Sequence, residues 1–402
     1  MKKISLSLVA VSMLTTFASA DIISKKISGD AKLFFSAVNS DGLGYGDHEN
    51  NLGDVAVNVK GALNVGKNAE GTINWGITGV STLGLDGHAV GGTWITHQKS
   101  STDANITDAI WIDTLNLTVN PFENTTLILG RQELDTPMVF SEHWNIATNT
   151  YDAVVVSNSS LKDTTLVGAW VGRSNIAGGS TVHYYKNEDS FKDFGSDDGA
   201  YAFGLINKTY TDTTLQAWYY DVTHSAKVAW LQADGKYNDI DYGLQYASYN
   251  PSSGSTSDAV AVKVGYDFNG LGLTAAYSTV SDDNNATSFV NVGGAQSKLY
   301  TDAWWMVGSV AQPNTDAFSL SASYDFGFAN ASLFYTDIKQ DKSDKVDAVI
   351  ADETKIKETT LVFDKSIGSL DASFAFVNVQ TKVNDVDQAS DNEIQAYLTY
   401  HF

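Results

Sequence analysis

One segment of the sequence places ionisable side chains among apolar ones. Just after a strand-like run come the charged or titratable residues Arg131, Glu133, Asp135, Glu142 and His143, interleaved with Met138, Val139, Phe140 and Trp144. A solvated segment rarely needs that many apolar side chains, whereas a segment packed on an inner wall does. Carboxylates in a narrow aqueous passage select among ions. We therefore expect Glu133, Asp135 and Glu142, with Arg131 beside them, to line a constriction. A surface loop that contacts lipid or a neighbour is the alternative.

Patterns typical of enzymes are absent from the sequence. The seven histidines show no H-x-x-x-H spacing, and no G-x-S-x-G motif, Walker loop or zinc cluster occurs. We therefore expect no catalytic residues, no enzyme activity and no cofactor. Two acidic patches, one with Asp282 and Asp283 and one at Asp341–Asp347, offer oxygen ligands for Ca²⁺. Neither has the ordered spacing of a calcium loop, so solvated loop charge is the favoured interpretation.

The elements that carry these residues are predicted to be β-strands. Val260, Val262 and Val264 alternate with Ala261 and Lys263, a period of two that predicts a strand with one apolar and one polar face. The four prolines all fall between such runs, as a continuous hydrogen-bonded sheet requires. About eighteen strands are predicted, which begin near Ser28, Asp54, Glu70, Ala109, Thr125, Thr150, Asp163, Ala200, Thr213, Ala226, Asp239, Asp258, Leu271, Thr315, Ala329, Lys355, Ser369 and Asn392.

The gaps between these strands indicate how they are arranged. Short connections alternate with long ones, which run approximately over Asn39–Gly53, Thr82–Asp108, Glu133–Asn149, Ser174–Gly199, Ser281–Asn314 and Asp341–Thr354. Short and long turns on opposite rims are typical of a transmembrane antiparallel β-barrel with short periplasmic turns and long extracellular loops. We expect the third long loop to fold into the lumen. The very short gap near Val222–Lys227 departs from this alternation.

Several cations fall on the polar rows and are candidates to line the lumen. Lys32, Lys60 and Lys263 belong to such rows, and Arg173 is a fourth candidate. Opposite charges across a pore set a transverse field that orients polar solutes. The alternative is that each lysine pairs with a neighbouring acid such as Asp30 or Asp267.

Both ends of the chain indicate export to a membrane. Residues 1–20 combine a basic start, an apolar stretch and the small-residue site Ala18-Ser19-Ala20, which predicts a cleaved signal peptide. Residues 21–402 are predicted to form a single barrel domain. In the last strand, Tyr400 and Phe402 end an apolar row, which is typical of the closing strand of a barrel, and we expect them to act as an assembly signal.

Composition excludes one large class of partners. The precursor carries a formal charge of −22, and loss of Lys2 and Lys3 with the signal leaves −24, which excludes nucleic-acid binding. No cysteine is present, so sheet closure rather than disulfides must hold the exported chain together.

The run Leu299–Val307 is too apolar for a plain loop. It could be an extra strand, which would change the strand count, an inward plug, or a patch for lipid or a partner subunit.

One motif resembles a known family. Gly130-Arg131-Gln132-Glu133-Leu134-Asp135-Thr136-Pro137, with the later Thr150-Tyr151-Asp152-Ala153, resembles the OprD-like porins, especially the major outer-membrane porins of epsilonproteobacteria. The resemblance implies an eighteen-stranded porin whose third loop constricts the pore, often packed as a homotrimer. Such channels for acidic substrates carry an arginine ladder, whereas this chain has only Arg131 and Arg173. A dedicated anion pathway is therefore not expected.

These observations lead to one functional expectation and one alternative. We expect a porin of the bacterial outer membrane that passes ions and small hydrophilic solutes by diffusion, with a weak preference for cations. Its expected surroundings are outer-membrane lipid and lipopolysaccharide. The alternative is a surface adhesin or a structural barrel, because long acidic loops would face the exterior.

Overall fold

The computed structural model describes residues 25–40, 51–66, 70–85, 87–93, 98–99, 109–175, 191–194, 198–281, 288–343, 350, 352–388 and 390–402. Among these residues no helix has the length and apolar character needed to cross a bilayer. The only helical element in the same ranges is a short 3-10 turn at Ser309–Ala311.

Eighteen long strands are present in the described part of the chain. They are β1 Lys25–Ser40, β2 Leu52–Val65, β3 Gly71–Ser81, β4 Ala109–Phe122, β5 Thr125–Gln132, β6 Tyr151–Leu161, β7 Thr164–Ser174, β8 Ala200–Asn207, β9 Thr213–Val222, β10 Ala226–Tyr237, β11 Ile240–Pro251, β12 Ser257–Phe268, β13 Leu271–Val280, β14 Thr315–Asp325, β15 Asn330–Gln340, β16 Thr354–Ile367, β17 Leu370–Val383 and β18 Asp391–His401. Each pairs antiparallel with the next along the chain, and β18 pairs with β1. The sheet is therefore a closed barrel, as predicted, and each predicted strand start lies within three residues of the observed one.

The two faces of each strand differ as the alternating pattern predicts. On β12, Val260, Val262 and Val264 are exposed on the outer surface, while Ala261 is buried on the inner one. Outward-facing tyrosines also bond to acids on the adjacent strand. The hydroxyls of Tyr246 and Tyr277 donate to the carboxylates of Asp258 and Asp316 at 2.8 Å. Aromatic rings with a polar tip at the end of an apolar band suit a membrane interface.

Turn chemistry explains the rim with short connections. Asn124, Asp163, Asn238 and Asn269 lie in these tight turns with φ between 53° and 57°. Asparagine and aspartate tolerate this left-handed conformation better than other non-glycine residues, so they allow reversal within two or three residues. The short connection between Val222 and Ala226 is also present, and it joins β9 to β10 at the opposite rim.

A β-bulge in β4 changes which side chains face the lumen. Gly76 of β3 pairs with Thr114, but the next residue, Ile77, pairs with Ile112, so Asp113 is the extra residue. Such an insertion re-aims a side chain. Asp113 is therefore buried on the inner face, where Asn58 and Thr78 donate hydrogen bonds to its carboxylate.

The C-terminal residue takes part in the barrel closure. The amide of Phe402 donates to the Gly29 carbonyl at 2.9 Å, and the Gly29 amide donates back to Phe402 at 2.8 Å. Tyr400 pairs with Ala31, two residues further along the same pairing of β18 with β1. Deletion of Phe402 removes both bonds and the aromatic end of the outer row.

We expect the Phe402 deletion to lower the amount of folded barrel in the membrane severalfold while export continues. Heat-modifiable migration on gels measures the folded fraction, and deletion of residues 1–20, the predicted signal peptide, serves as the comparison in which export should fail. Unchanged levels of heat-modifiable barrel would show that closure does not need this residue.

Candidate functional site in the barrel lumen

The segment 133–150, which follows β5, crosses the lumen. At its start, the Glu133 Oε1 atom lies 3.2 Å from the Lys60 Nζ atom on the inner face of β2. Further along, the Met138 amide donates to the Tyr220 hydroxyl on the inner face of β9 at 3.4 Å. The third long loop is therefore folded into the barrel, as its apolar residues predicted.

A tight turn and apolar packing hold this loop in place. Asp135 and Phe140 form an isolated antiparallel bridge, and the Thr136 amide and hydroxyl both donate to the Val139 carbonyl. Met138 and Phe140 are buried, with at most 3% of their surface exposed. Burial of a side chain of this size stabilises by about 1.5–3 kcal/mol, enough to fix a short segment against the wall.

Glu142 does not line a water path, in contrast to the expectation from the sequence. Only 1% of its surface is exposed. Its Oε1 atom accepts hydrogen bonds from the Asn291 side chain at 3.0 Å and from the amides of Ala295 and Gln296 at 2.8 and 2.9 Å. Its Oε2 atom accepts from the Trp144 indole at 2.8 Å. Backbone donors of another segment satisfy this charge, so Glu142 is an anchor between two loops.

That other segment, residues 288–314, also folds inward. The amides of Trp305 and Met306 donate to the two carboxylate oxygens of Glu358 on the inner face of β16, at 2.9 and 2.7 Å. On the other side the Tyr300 hydroxyl donates to Asp234 of β10 at 2.8 Å. The apolar run Leu299–Val307 thus corresponds to the inward-plug alternative. We refer to residues 288–314 as the second inward loop.

A buried acid within the second inward loop has a shifted pKa. Asp302 accepts from the amides of Ser297 and Gly308 at 3.0 and 2.7 Å. Burial raises the pKa of Asp302 to about 7, and the nearby carboxylates of Glu142 and Glu358 act in the same direction. The folded chain then keeps a proton that the unfolded chain releases near pH 4. The contribution of Asp302 to stability therefore falls as pH rises from about 4 to about 7 and is level above that.

Charged side chains line a cleft between β1, β2 and the third long loop. Lys32 Nζ lies 3.6 Å from an Asp30 oxygen, and the Lys60–Glu133 pair adjoins it. Asp135 is highly exposed and lies 2.9 Å from Lys298 of the second inward loop. Glu133 and Asp135 are therefore both exposed, in part or largely, and each is bound to a lysine.

The two arginines share one carboxylate. Arg131 Nε lies 2.7 Å from Asp152 Oδ1, and Arg173 Nη2 lies 2.6 Å from Asp152 Oδ2. Arg131 is 9% exposed, stacks at 3.4 Å on the Phe191 ring and donates to the Ile112 carbonyl at 2.7 Å. Arg131 is therefore buried and does not line an open path, in contrast to the expectation from the sequence, whereas half of the Arg173 side chain is exposed. The two halves of the sequence motif thus meet across the β5–β6 ladder, where Arg131 pairs with Asp152.

Lys263 also faces the lumen and is paired. Its Nζ atom lies 2.7 Å from Asp234 and 4.2 Å from the centre of the Tyr300 ring. Its carboxylate partner is Asp234 on β10, two strands before β12, and not Asp267, the neighbouring acid that the sequence suggested. A carboxylate therefore contacts each of the five cations that the sequence singled out, which are Arg131, Arg173, Lys32, Lys60 and Lys263.

Four charged residues inside the barrel were not predicted from the sequence. They are Asp113, Asp234, Lys298 and Glu358.

Glycine is required at the start of the motif. Gly130 has a φ of 120°, a conformation that side chains rarely adopt. A Cβ atom there would press on the Leu115 carbonyl oxygen and lie 3.1 Å from the Asn116 Cα atom. The backbone strain of such a residue costs about 1–3 kcal/mol before the clash is counted.

We therefore expect Gly130→Ala to reduce the yield of folded barrel severalfold and to lower its thermal stability. Gly79→Ala is the matched control, because the nearest atom to a Cβ there is 3.6 Å away, an ordinary contact. Thermal loss of heat-modifiable migration measures both variants. Equal stability of Gly130→Ala and Gly79→Ala would contradict this role of Gly130.

Among the residues that the structure describes, no group of three or more His, Cys, Asp or Glu side chains is arranged to hold a metal ion. Asp282 and Asp283, the weak calcium candidates, lie outside the described residues, as does part of Asp341–Asp347.

Comparison with known proteins identifies similar folds. No protein-family model and no curated protein matches the sequence. Solved structures do match over nearly their whole length. OccK9 (OpdG) of Pseudomonas aeruginosa has a TM-score of 0.75 at 12% identity, covering 96% of this chain and 100% of that one. OccAB2 of Acinetobacter baumannii has a TM-score of 0.72 at 15% identity, covering 96% and 99%. OccK8 (OprE) of P. aeruginosa has a TM-score of 0.70 at 15% identity, again covering 96% and 99%. At these identities the similarity establishes the fold: this chain and the Occ proteins share one barrel architecture.

Proposed function

We propose that the chain forms a water-filled channel in the bacterial outer membrane through which ions and small hydrophilic solutes diffuse. The observation that carries the proposal is the closed barrel with an apolar outer surface and with charged residues and two loops inside. Charged side chains on the inner face of a barrel need water around them, because an unsolvated charge is costly. The barrel fold shared with the Occ structures also supports this proposal.

The motif and the fold together support membership of the OprD-like porins. The closer relation to epsilonproteobacterial porins rests on the motif alone. Under this proposal, residues 1–20 are a signal peptide that is cleaved on export and residues 21–402 are one barrel domain. The long-loop rim faces the exterior, outer-membrane lipid and lipopolysaccharide surround the apolar band, and three copies form a homotrimer. No cofactor and no enzyme activity belong to this function.

The proposed channel prefers cations only weakly. The mature chain carries −24 charges by sequence, which raises the local cation concentration. The constriction itself adds little, because Glu133 and Asp135 are each bound to a lysine. The acids therefore act mostly as diffuse charge, which salt screens readily.

Reversal potential across a planar bilayer tests this selectivity. In a KCl gradient near 0.1 M we expect a cation-to-anion permeability ratio of about two, the effect of one unit charge roughly 8 Å from the ion in water. At about 1 M salt the screening length falls to about 3 Å, and the ratio should approach one. A purified barrel that passes no current would favour the adhesin or structural alternative. Strong anion selectivity at neutral pH would contradict the proposed preference.

A further inference from the structure

The Glu133 carboxylate on the third long loop lies between the Lys60 ammonium group and the His143 imidazole. Its Oε1 atom is 3.2 Å from Lys60 Nζ, and its Oε2 atom is 3.9 Å from His143 Nε2. The other ring nitrogen of His143 is 3.2 Å from the Thr148 hydroxyl, which fixes the orientation of the imidazole. Two thirds of the His143 side chain is exposed, so water and ions reach it.

From this geometry we propose that His143 makes the ion selectivity of the channel depend on pH, by converting a neutral cluster at the constriction into a positive one. The inference rests on the proposed channel function. With a neutral imidazole the charges of Lys60 and Glu133 cancel. A proton on His143 leaves the cluster with a net charge of +1 in the path of permeating ions. Histidine is the side chain whose ordinary ionisation, near pH 6.5, falls within the physiological range.

Other charged groups surround the same passage, and buried Asp302 of the second inward loop, whose pKa burial raises to about 7, titrates in the same pH range. From β1 come the paired Asp30 and Lys32, and from β4 comes buried Asp113, which accepts from Asn58 and Thr78. The Asp135–Lys298 pair lies further along the loop. All of them are present in both the wild-type chain and a His143 variant, so comparison of the two isolates the imidazole.

The chain offers a matched control at the rim. His224 lies in the short connection between β9 and β10, with three quarters of its side chain exposed and its Nε2 atom 3.3 Å from Asp198. It therefore shares with His143 both exposure and an acidic neighbour. It differs in its position, outside the passage that the inward loops narrow.

The test is the reversal potential in a KCl gradient at about pH 8 and about pH 5.5. For the wild type we expect the cation-to-anion permeability ratio to fall about twofold on acidification, the effect of one unit charge at roughly 8 Å in water. His143→Gln should remove most of this fall and His224→Gln should leave it intact, while both conduct normally at pH 8. A His143→Gln channel that titrates as the wild type does would overturn the inference and leave the channel function standing. A wild-type barrel without current at either pH would overturn the channel function and the inference with it.

Discussion

Replacement of Glu142 by alanine is expected to free the second inward loop and to widen the pore. The change removes the acceptor for four donors, which are the amides of Ala295 and Gln296, the Asn291 side chain and the Trp144 indole. Each buried donor left without a partner costs about 1–3 kcal/mol. Because several donors lose their acceptor together, the contact between the two loops should open. The barrel wall is held by its own strand pairing and should stay folded.

Single-channel recording measures this effect. We expect Glu142→Ala to raise the mean conductance by about half or more and to add rapid current noise, because a mobile segment alternately clears and blocks the passage. Asp135→Ala is the control, since Asp135 belongs to the same loop but is highly exposed. A Glu142→Ala channel as quiet and as narrow as the wild type would show that the buried carboxylate does not join the loops.

Neutralising the two exposed acids of the third long loop, Glu133 and Asp135, is expected to invert the selectivity of the proposed channel. In Glu133→Gln/Asp135→Asn, Lys60 and Lys298 lose their partners and leave two uncompensated positive charges beside the water path. A unit charge about 4 Å from an ion is worth up to roughly 4 kcal/mol at an effective dielectric near 20, before ionic screening. Even a tenth of that from each of the two lysines shifts the permeability ratio about twofold, or about fourfold together, so a ratio of about two falls below one and the reversal potential moves to the anion side.

A matched double variant at the rim separates local from diffuse charge. Asp341→Asn/Glu353→Gln removes two negative charges, as the first variant does. Asp341 lies 2.7 Å from Lys339, and Glu353 lies 2.7 Å from Lys355, which Asp385 also contacts at 2.7 Å. These pairs lie at the rim and not at the constriction, and the rim variant should change the reversal potential much less. Equal shifts in both double variants would mean that charges on the third loop act on permeating ions no more strongly than charges at the rim, which would contradict a local effect of the broken pairs.

The strand framework could be predicted from the sequence because it depends on local signals. Alternation such as Val260, Val262 and Val264 reports a two-faced strand directly, and Asn or Asp at the tight turns marks the reversals. The inward fold of the third loop could also be predicted, because Met138 and Phe140 need an apolar partner. Phe402 at the end of an apolar row indicated the closing strand.

The detailed arrangement of the site could not be predicted, since it depends on contacts distant in sequence. Glu142 has the same residue type as Glu133, and only the amides of Ala295 and Gln296, more than 150 residues away, distinguish an anchor from a pore residue. Asp113 faces inward because of a β-bulge, which appears only in the pairing of β4 with β3 and not in the sequence of β4. The apolar run Leu299–Val307 signalled an unusual loop, but its partner Glu358 is on a strand whose pattern gives no sign of it.

The proposed function requires that one row of each strand faces a conducting, water-filled lumen and that the other row faces lipid. Because the chain has no cysteine, single cysteines report accessibility without background. On β2, Lys60 faces inward beside Glu133, whereas Val57 is exposed on the outer surface. We predict that a charged, membrane-impermeant thiol reagent reduces the single-channel current of Lys60→Cys by a large fraction and leaves the current of Val57→Cys unchanged. Block of Val57→Cys, or no effect on a conducting Lys60→Cys channel, would contradict the account.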